Sequence, residues 1–219
     1  MATQSAIVWP KRYLPGTTDN FVSNEVIAKD LTASQIWDLL ADISKWETYY
    51  DNVSQITPPE SGPVLQRGDF FKFSTFGFPV LTCPVQESVP PVEGRAGRIA
   101  WSGKLEGDPD TEVDVYHAWL VEDLEGGRVR ILTQESQIGK PAAELSTKKP
   151  NKMLLGHQDW LDGLVAAARG QKRFMEFLTH VGDDMRTAPT LLRLINTFSQ
   201  NMKCLADDAR RTSDRPTKI

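Results

Sequence analysis

Between residues 51 and 138 the chain breaks into six short runs rich in β-branched and aromatic residues, separated by glycine and proline. They span 51–57, 69–76, 80–89, 98–105, 111–122 and 128–138. Gly126-Gly127, between the last two, marks a hairpin, because glycine tolerates the positive φ of a tight turn. Pro84 has no N–H to give to a ladder, so the third run is predicted at a sheet edge or at a bulge. Residues 21–28 alternate as one further strand. An antiparallel sheet built from these runs needs one face covered.

Three segments offer apolar helical faces. Thr32 and Gln35 stand at the spacing of a capping box, and Ile36, Leu39, Leu40, Ile43 and Trp46 then follow the i, i+3, i+4, i+7 rule of one buried face. After a Pro-bounded loop over 140–150, a second period runs through Leu154, His157, Leu161, Leu164, Val165, Ala168, Met175 and Leu178, despite Gly163 and Gly170. It predicts a long helix, the one element large enough to cover the sheet. The fold class is therefore α+β, a curved antiparallel sheet wrapped around that helix with a hydrophobic cavity between them. Leu191, Leu194, Ile195, Phe198, Met202 and Leu205 predict an extra C-terminal helix. Its apolar face fits either its own core or a second subunit, and a homodimer is the preferred expectation. The organisation expected is an N-terminal arm over 1–20, in which Ile7, Val8 and Trp9 are the residues fit to dock, a domain over 21–180 and a helical extension over 181–219.

Charge narrows the partners. Lys plus Arg number 25 against 29 Asp plus Glu, a net charge of −4, so no overall positive field exists to attract nucleic acid or anionic lipid. No apolar stretch approaches the roughly 20 residues of a spanning helix, and the first residues lack a signal-peptide layout. Cys83 and Cys204 form no disulfide framework. Together these predict a cytoplasmic protein with neither membrane nor nucleic acid as partner.

The order of elements, with Ile36-Trp37-Asp38-Leu39-Leu40 running into Ser44-Lys45-Trp46, resembles the helix-grip superfamily called SRPBCC or START-like, which includes the polyketide cyclase/dehydrase family. The resemblance covers about residues 21–180. His117-Ala118-Trp119-Leu120, the stretch Arg130 to Ser136, and Gly156-His157-Gln158-Asp159-Trp160-Leu161 look like a subgroup of uncharacterised SRPBCC-domain proteins. The resemblance implies a hydrophobic pocket for a lipophilic small molecule. It implies no single reaction, since members include carriers, receptors, cyclases and Rieske oxygenase subunits. A Rieske cluster needs paired Cys and His ligands that Cys83 and Cys204 do not supply.

Strand parity selects the pocket residues. Val113, Val115, His117, Trp119 and Val121 share the face that must turn inward, and on the next run Val129, Ile131, Thr133, Glu135 and Gln137 do the same, while Arg128 and Arg130 point out. His157 lies on the covering face of the long helix. Two histidines and a glutamate thus converge on one cavity. Imidazole exchanges protons near neutral pH, and a carboxylate beside it fixes its tautomer. His117 is read as the acid/base, Glu135 as its orienting partner and His157 as the group that polarises a substrate carbonyl. The structural alternative, core histidines bonded to carbonyls, stands beside this reading. Phe71, Phe73, Trp101, Trp119, Thr133, Gln137, Trp160, Leu161 and Leu164 are read as substrate-binding, with core packing as the alternative for the aromatic residues. His117, His157 and His180 show neither HxH nor HExxH spacing, so no metal or other cofactor is expected. Cys83 reads as a buried small hydrophobe. The function expected is a cofactor-independent cyclase/dehydratase or isomerase, acting on a polyketide-like or other lipophilic intermediate of specialised metabolism. The rival is a carrier for a hydrophobic molecule.

Overall fold

The structure, a computed structural model, describes residues 4–171. Seven strands form one antiparallel sheet in the order β1-β7-β6-β5-β4-β3-β2: β1 Asn20–Lys29, β2 Val53–Thr57, β3 Phe70–Thr75, β4 Leu81–Val89, β5 Gly97–Leu105, β6 Val113–Leu124 and β7 Arg128–Ile138. The sheet curves around α4, Lys152–Ala168, which packs on β1 and β7 and against α1, Ala33–Leu40, and α2, Trp46–Tyr49. This is the helix-grip arrangement, and all seven expected strands are present. No helix among the described residues is long and apolar enough to cross a membrane.

Pro84 lies in β4, which is interior between β5 and β3. Of the two expectations for it the edge fails and the bulge holds, because the β4–β5 register shifts between Val85 and Glu87.

Three helical expectations are corrected. The Thr32–Gln35 capping box forms, with each residue's side chain bonded to the other's backbone, but α1 ends at Leu40. There Asp42 Oδ1 accepts from the Ser44 N–H and starts a new turn, Ile43–Lys45, that runs into α2. The apolar period continues across the break because both pieces bury against the same core. The segment after β7 is a helix, α3 Lys140–Ser146, with a proline in its first turn, where a missing N–H costs nothing. Finally, α4 stops at Ala168: Gly170, at φ 68, donates to the Ala167 carbonyl and Gln171 to that of Ala166, the paired bonds of a Schellman cap. Met175 and Leu178, placed on this helix from the sequence, lie outside the described residues, as do His180, Cys204, the helix expected over 191–205 and the dimer contact expected through it.

The sheet is covered on its inner face, and on its outer face over the central strands. The inner face packs Phe71, Trp101, Trp119 and Ile131 against Trp46 of α2 and Trp160, Leu161 and Leu164 of α4. On the outer face, Ile7, Trp9 and Tyr13 of the N-terminal arm pack on Ala100, Tyr116 and Ala118, with Tyr13 stacked on Tyr116 at 5.3 Å; Val8 stays exposed. Arg130 points away from the cavity as expected, yet it is buried. Its guanidinium donates to Glu25 (2.6 Å), Glu122 (2.7 Å) and the Ser5 carbonyl (2.9 Å), so the arm completes the bonding of a buried charge.

Candidate functional site

The cavity lies between the inner sheet face and the first turns of α4. Its wall is mostly apolar, with Phe73, Leu81, Trp101, Leu105, Val113 and Val115 from the sheet and Met153 and Trp160 from the helix. Phe76 and Phe78 come from the turn after β3. That turn fits closely against the helix: a Cβ on Gly156 would lie 2.2 Å from the Phe76 ring. The cavity encloses about 50 Å³. That is space for a few waters at about 10–15 Å³ each, well short of the roughly 300–1,000 Å³ of most small-molecule sites.

One wall is polar. His117 and Glu135 are direct cross-strand partners of β6 and β7, so their side chains leave the sheet side by side on the same face. His157 descends onto them from the second turn of α4. His117 Nδ1 and His157 Nε2 each lie 3.3 Å from Glu135 Oε2, and the two imidazoles stack with centroids 4.4 Å apart and planes 9° from parallel. The exposures of His117, Glu135 and His157 are 3%, 5% and 1%, so bulk water is excluded from the cluster.

Each member has outer support except at one atom. Thr133 Oγ1 meets His117 Nε2 at 2.7 Å. Gln137 donates to Glu135 Oε1, and accepts at 2.6 Å from Asn20, which accepts in turn from Asn151 (3.1 Å), the residue whose side chain caps α4. This chain of amides fixes the carboxylate so that its other oxygen faces both imidazoles. His157 Nδ1 has no hydrogen-bond partner.

Burial and the neighbouring His157 imidazole hold the His117 pKa well below its ordinary value, so it is neutral at neutral pH. Burial, and after it the negative charge of Glu135, pushes the Cys83 thiol up to about 12. Cys83 therefore lines the cavity as a thiol and supplies no nucleophile. Among the described residues of the lining, Glu135 is the one carboxylate and none is Lys or Arg.

The structure thus brings together His117, Glu135 and His157, and puts Phe73, Trp101, Gln137 and Trp160 on the same lining. Phe71, Trp119, Thr133, Leu161 and Leu164 stand apart: they are buried in the core behind the cavity and do not line it, although Thr133 reaches His117. Asn20, Asn151, Phe76 and Phe78 were missed. Asn151 three residues before Leu154 is a readable helix cap, whereas Phe76 sits at φ 54 in a turn with no periodicity to reveal it. Sequence spacing does not show the proximity of His117, Glu135 and His157, because they come from three elements; one ligand-type atom from each lies within 4.8 Å of the others.

No family model matches the chain, and no curated protein matches it. Among solved structures, hypothetical protein jhp0584 from Helicobacter pylori is 48% identical, covering 77% of this chain and 99% of its own, with a TM-score of 0.72. The aromatase/cyclase Zhui from Streptomyces sp. R1128 is 16% identical over 68% of this chain and 93% of its own, with a TM-score of 0.48. The di-domain ARO/CYC BexL from the BE-7585A biosynthetic pathway is 13% identical over 66% of this chain and 45% of its own, also with a TM-score of 0.48. At these values neither of the last two likenesses says what this chain does.

Proposed function

The chain belongs to the family of the Helicobacter pylori hypothetical protein jhp0584, and we propose that it is an enzyme that moves protons on a compact, largely apolar small molecule bearing a carbonyl or hydroxyl group. One observation carries this reading: His117, Glu135 and His157, all three buried, meet on a single wall of a mostly apolar cavity. Groups that hold and return a proton are concentrated there, where a low dielectric strengthens every charge interaction. A neutral His117 is able to take a proton from a carbon beside a carbonyl. The same proton is then returned either to the leaving hydroxyl, which departs as water, or to another carbon, which shifts the double bond. The reaction class is accordingly dehydration, cyclisation with loss of water, or isomerisation. The volume behind Phe76 suits the reacting end of a molecule better than a whole polycyclic polyketide.

The test incubates a metabolite extract with wild type and with the folded His117→Ala/His157→Ala double variant, followed by mass spectrometry. A compound that changes mass or retention time only with wild type is the expected result. A metabolite retained unchanged by both proteins overturns the enzyme reading in favour of a carrier.

A further inference from the structure

We propose that His117, Glu135 and His157 form a binding site for one divalent first-row metal ion, zinc being best fitted, with His117 Nδ1, His157 Nε2 and a Glu135 oxygen as ligands. The proposal deepens the reading of this cluster as the reactive centre and rests on it. Two imidazole nitrogens and one carboxylate oxygen, with a fourth position open toward a cavity, are the donor set of catalytic zinc.

The distances fit. Ligand bonds of about 2.0–2.1 Å to a tetrahedral ion put neighbouring ligand atoms about 3.3–3.4 Å apart. Both nitrogen-to-oxygen separations are 3.3 Å. An aligned charge-assisted hydrogen bond would be shorter, about 2.7–2.9 Å.

The surroundings fit as well. A metal-binding His or carboxylate ordinarily has its remaining atom held by an outer partner. Here Thr133 holds His117 Nε2, and Gln137 holds Glu135 Oε1. With the imidazoles parallel, their in-plane lone pairs do not meet at one point, so binding requires the His157 ring to turn. Its Nδ1 has no hydrogen bond to lose in doing so. The cavity of about 50 Å³ has room for bound water beside the ion. An ion there would polarise a carbonyl and lower the pKa of bound water, which in the ion-loaded protein would take the substrate proton in place of His117, whose Nδ1 is then a ligand and whose Nε2 is held by Thr133.

The experiment strips tag-free wild type with a chelator and titrates it with Co²⁺, whose visible d–d absorption reports imidazole coordination, then competes with Zn²⁺. Expected are one equivalent of Co²⁺ per chain, its displacement by Zn²⁺, and a melting temperature that rises with Zn²⁺. Glu135→Gln and His157→Ala, confirmed folded by circular dichroism, should each lose about 100-fold in affinity, and Gln137→Leu, which keeps all three ligands, about 10-fold. Wild type that binds no more Co²⁺ than His157→Ala overturns the proposal. So does a stripped, ion-free protein that still converts a metabolite at the full rate, an outcome that leaves the proposed function intact. Stoichiometric ion binding with no metabolite converted by the loaded protein supports the metal centre and overturns the proposed function instead.

Discussion

His117 is held from three directions, by Thr133 at Nε2, by Glu135 of β7 at Nδ1 and by the His157 ring of α4 across its face. Its lowered pKa has a consequence for stability. An unfolded histidine titrates near 6.5, whereas the folded one resists protonation, so the unfolded chain binds more protons as the pH falls below that value. The stability this group contributes is therefore complete above about pH 6.5 and declines below it, by at most about 1.4 kcal/mol per pH unit, toward the folded pKa. Urea denaturation at about pH 7 and about pH 5.5 should show wild type losing roughly 1 kcal/mol more than His117→Asn, and equal losses would refute the neutral buried imidazole. At this scale the site was largely legible. Side chains alternate along β6 and β7, so one apolar partner on each strand settled where His117 and Glu135 point. What parity does not give is distance, and the 3.3 Å geometry depends on how α4 is seated over the sheet.

The seating of α4 depends on a glycine. A Cβ on Gly163 would lie 2.0 Å from the Tyr49 carbonyl oxygen, a backbone atom of α2 that has no freedom to move aside. Gly163→Ala should cost about 1–3 kcal/mol by calorimetry or urea titration, the range of an overpacked core, and a neutral result would show that the two helices are not in contact. Gly156→Ala meets a side chain instead, the ring of Phe76. The ring is able to swing out, so stability should change by less than about 1 kcal/mol, while an apolar fluorescent dye gains access to the cavity and binds more tightly. Unchanged dye affinity would contradict the role of Phe76 as the cavity's outer wall. Sequence periodicity is blind to both devices, since it reports which face is buried and not where a helix stops. The same blindness explains the break after Leu40 and the stop at Ala168, each set by local capping bonds at Asp42 and Gly170 rather than by hydrophobic pattern.

For the molecule as a whole, the two faces of the sheet differ in character. The inner face holds the cavity, and the N-terminal arm covers the central strands of the outer face through Ile7, Trp9 and Tyr13. Trp9→Ala should lower stability by about 1–3 kcal/mol in chemical denaturation while leaving ligand or ion binding in the cavity unchanged, because its contacts, Phe21 and Tyr116, face away from the site. A loss of binding without a loss of stability would contradict this division. The arm was only partly legible because a segment without a period gives no sign of its partner. Its complement was visible in hindsight, since Tyr116, Ala118 and Leu120 make the second parity of β6 apolar as well. On the proposed reading, Glu135, between two imidazoles on the wall of a mostly apolar cavity, makes this helix-grip protein reactive rather than a passive container. The most direct measurement is conversion of a metabolite found in the extract experiment by wild type and by Glu135→Gln, which preserves size and removes the charge. Conversion by Glu135→Gln should fall by at least about 100-fold with the fold intact; conversion at the wild-type rate would contradict a reactive role for Glu135.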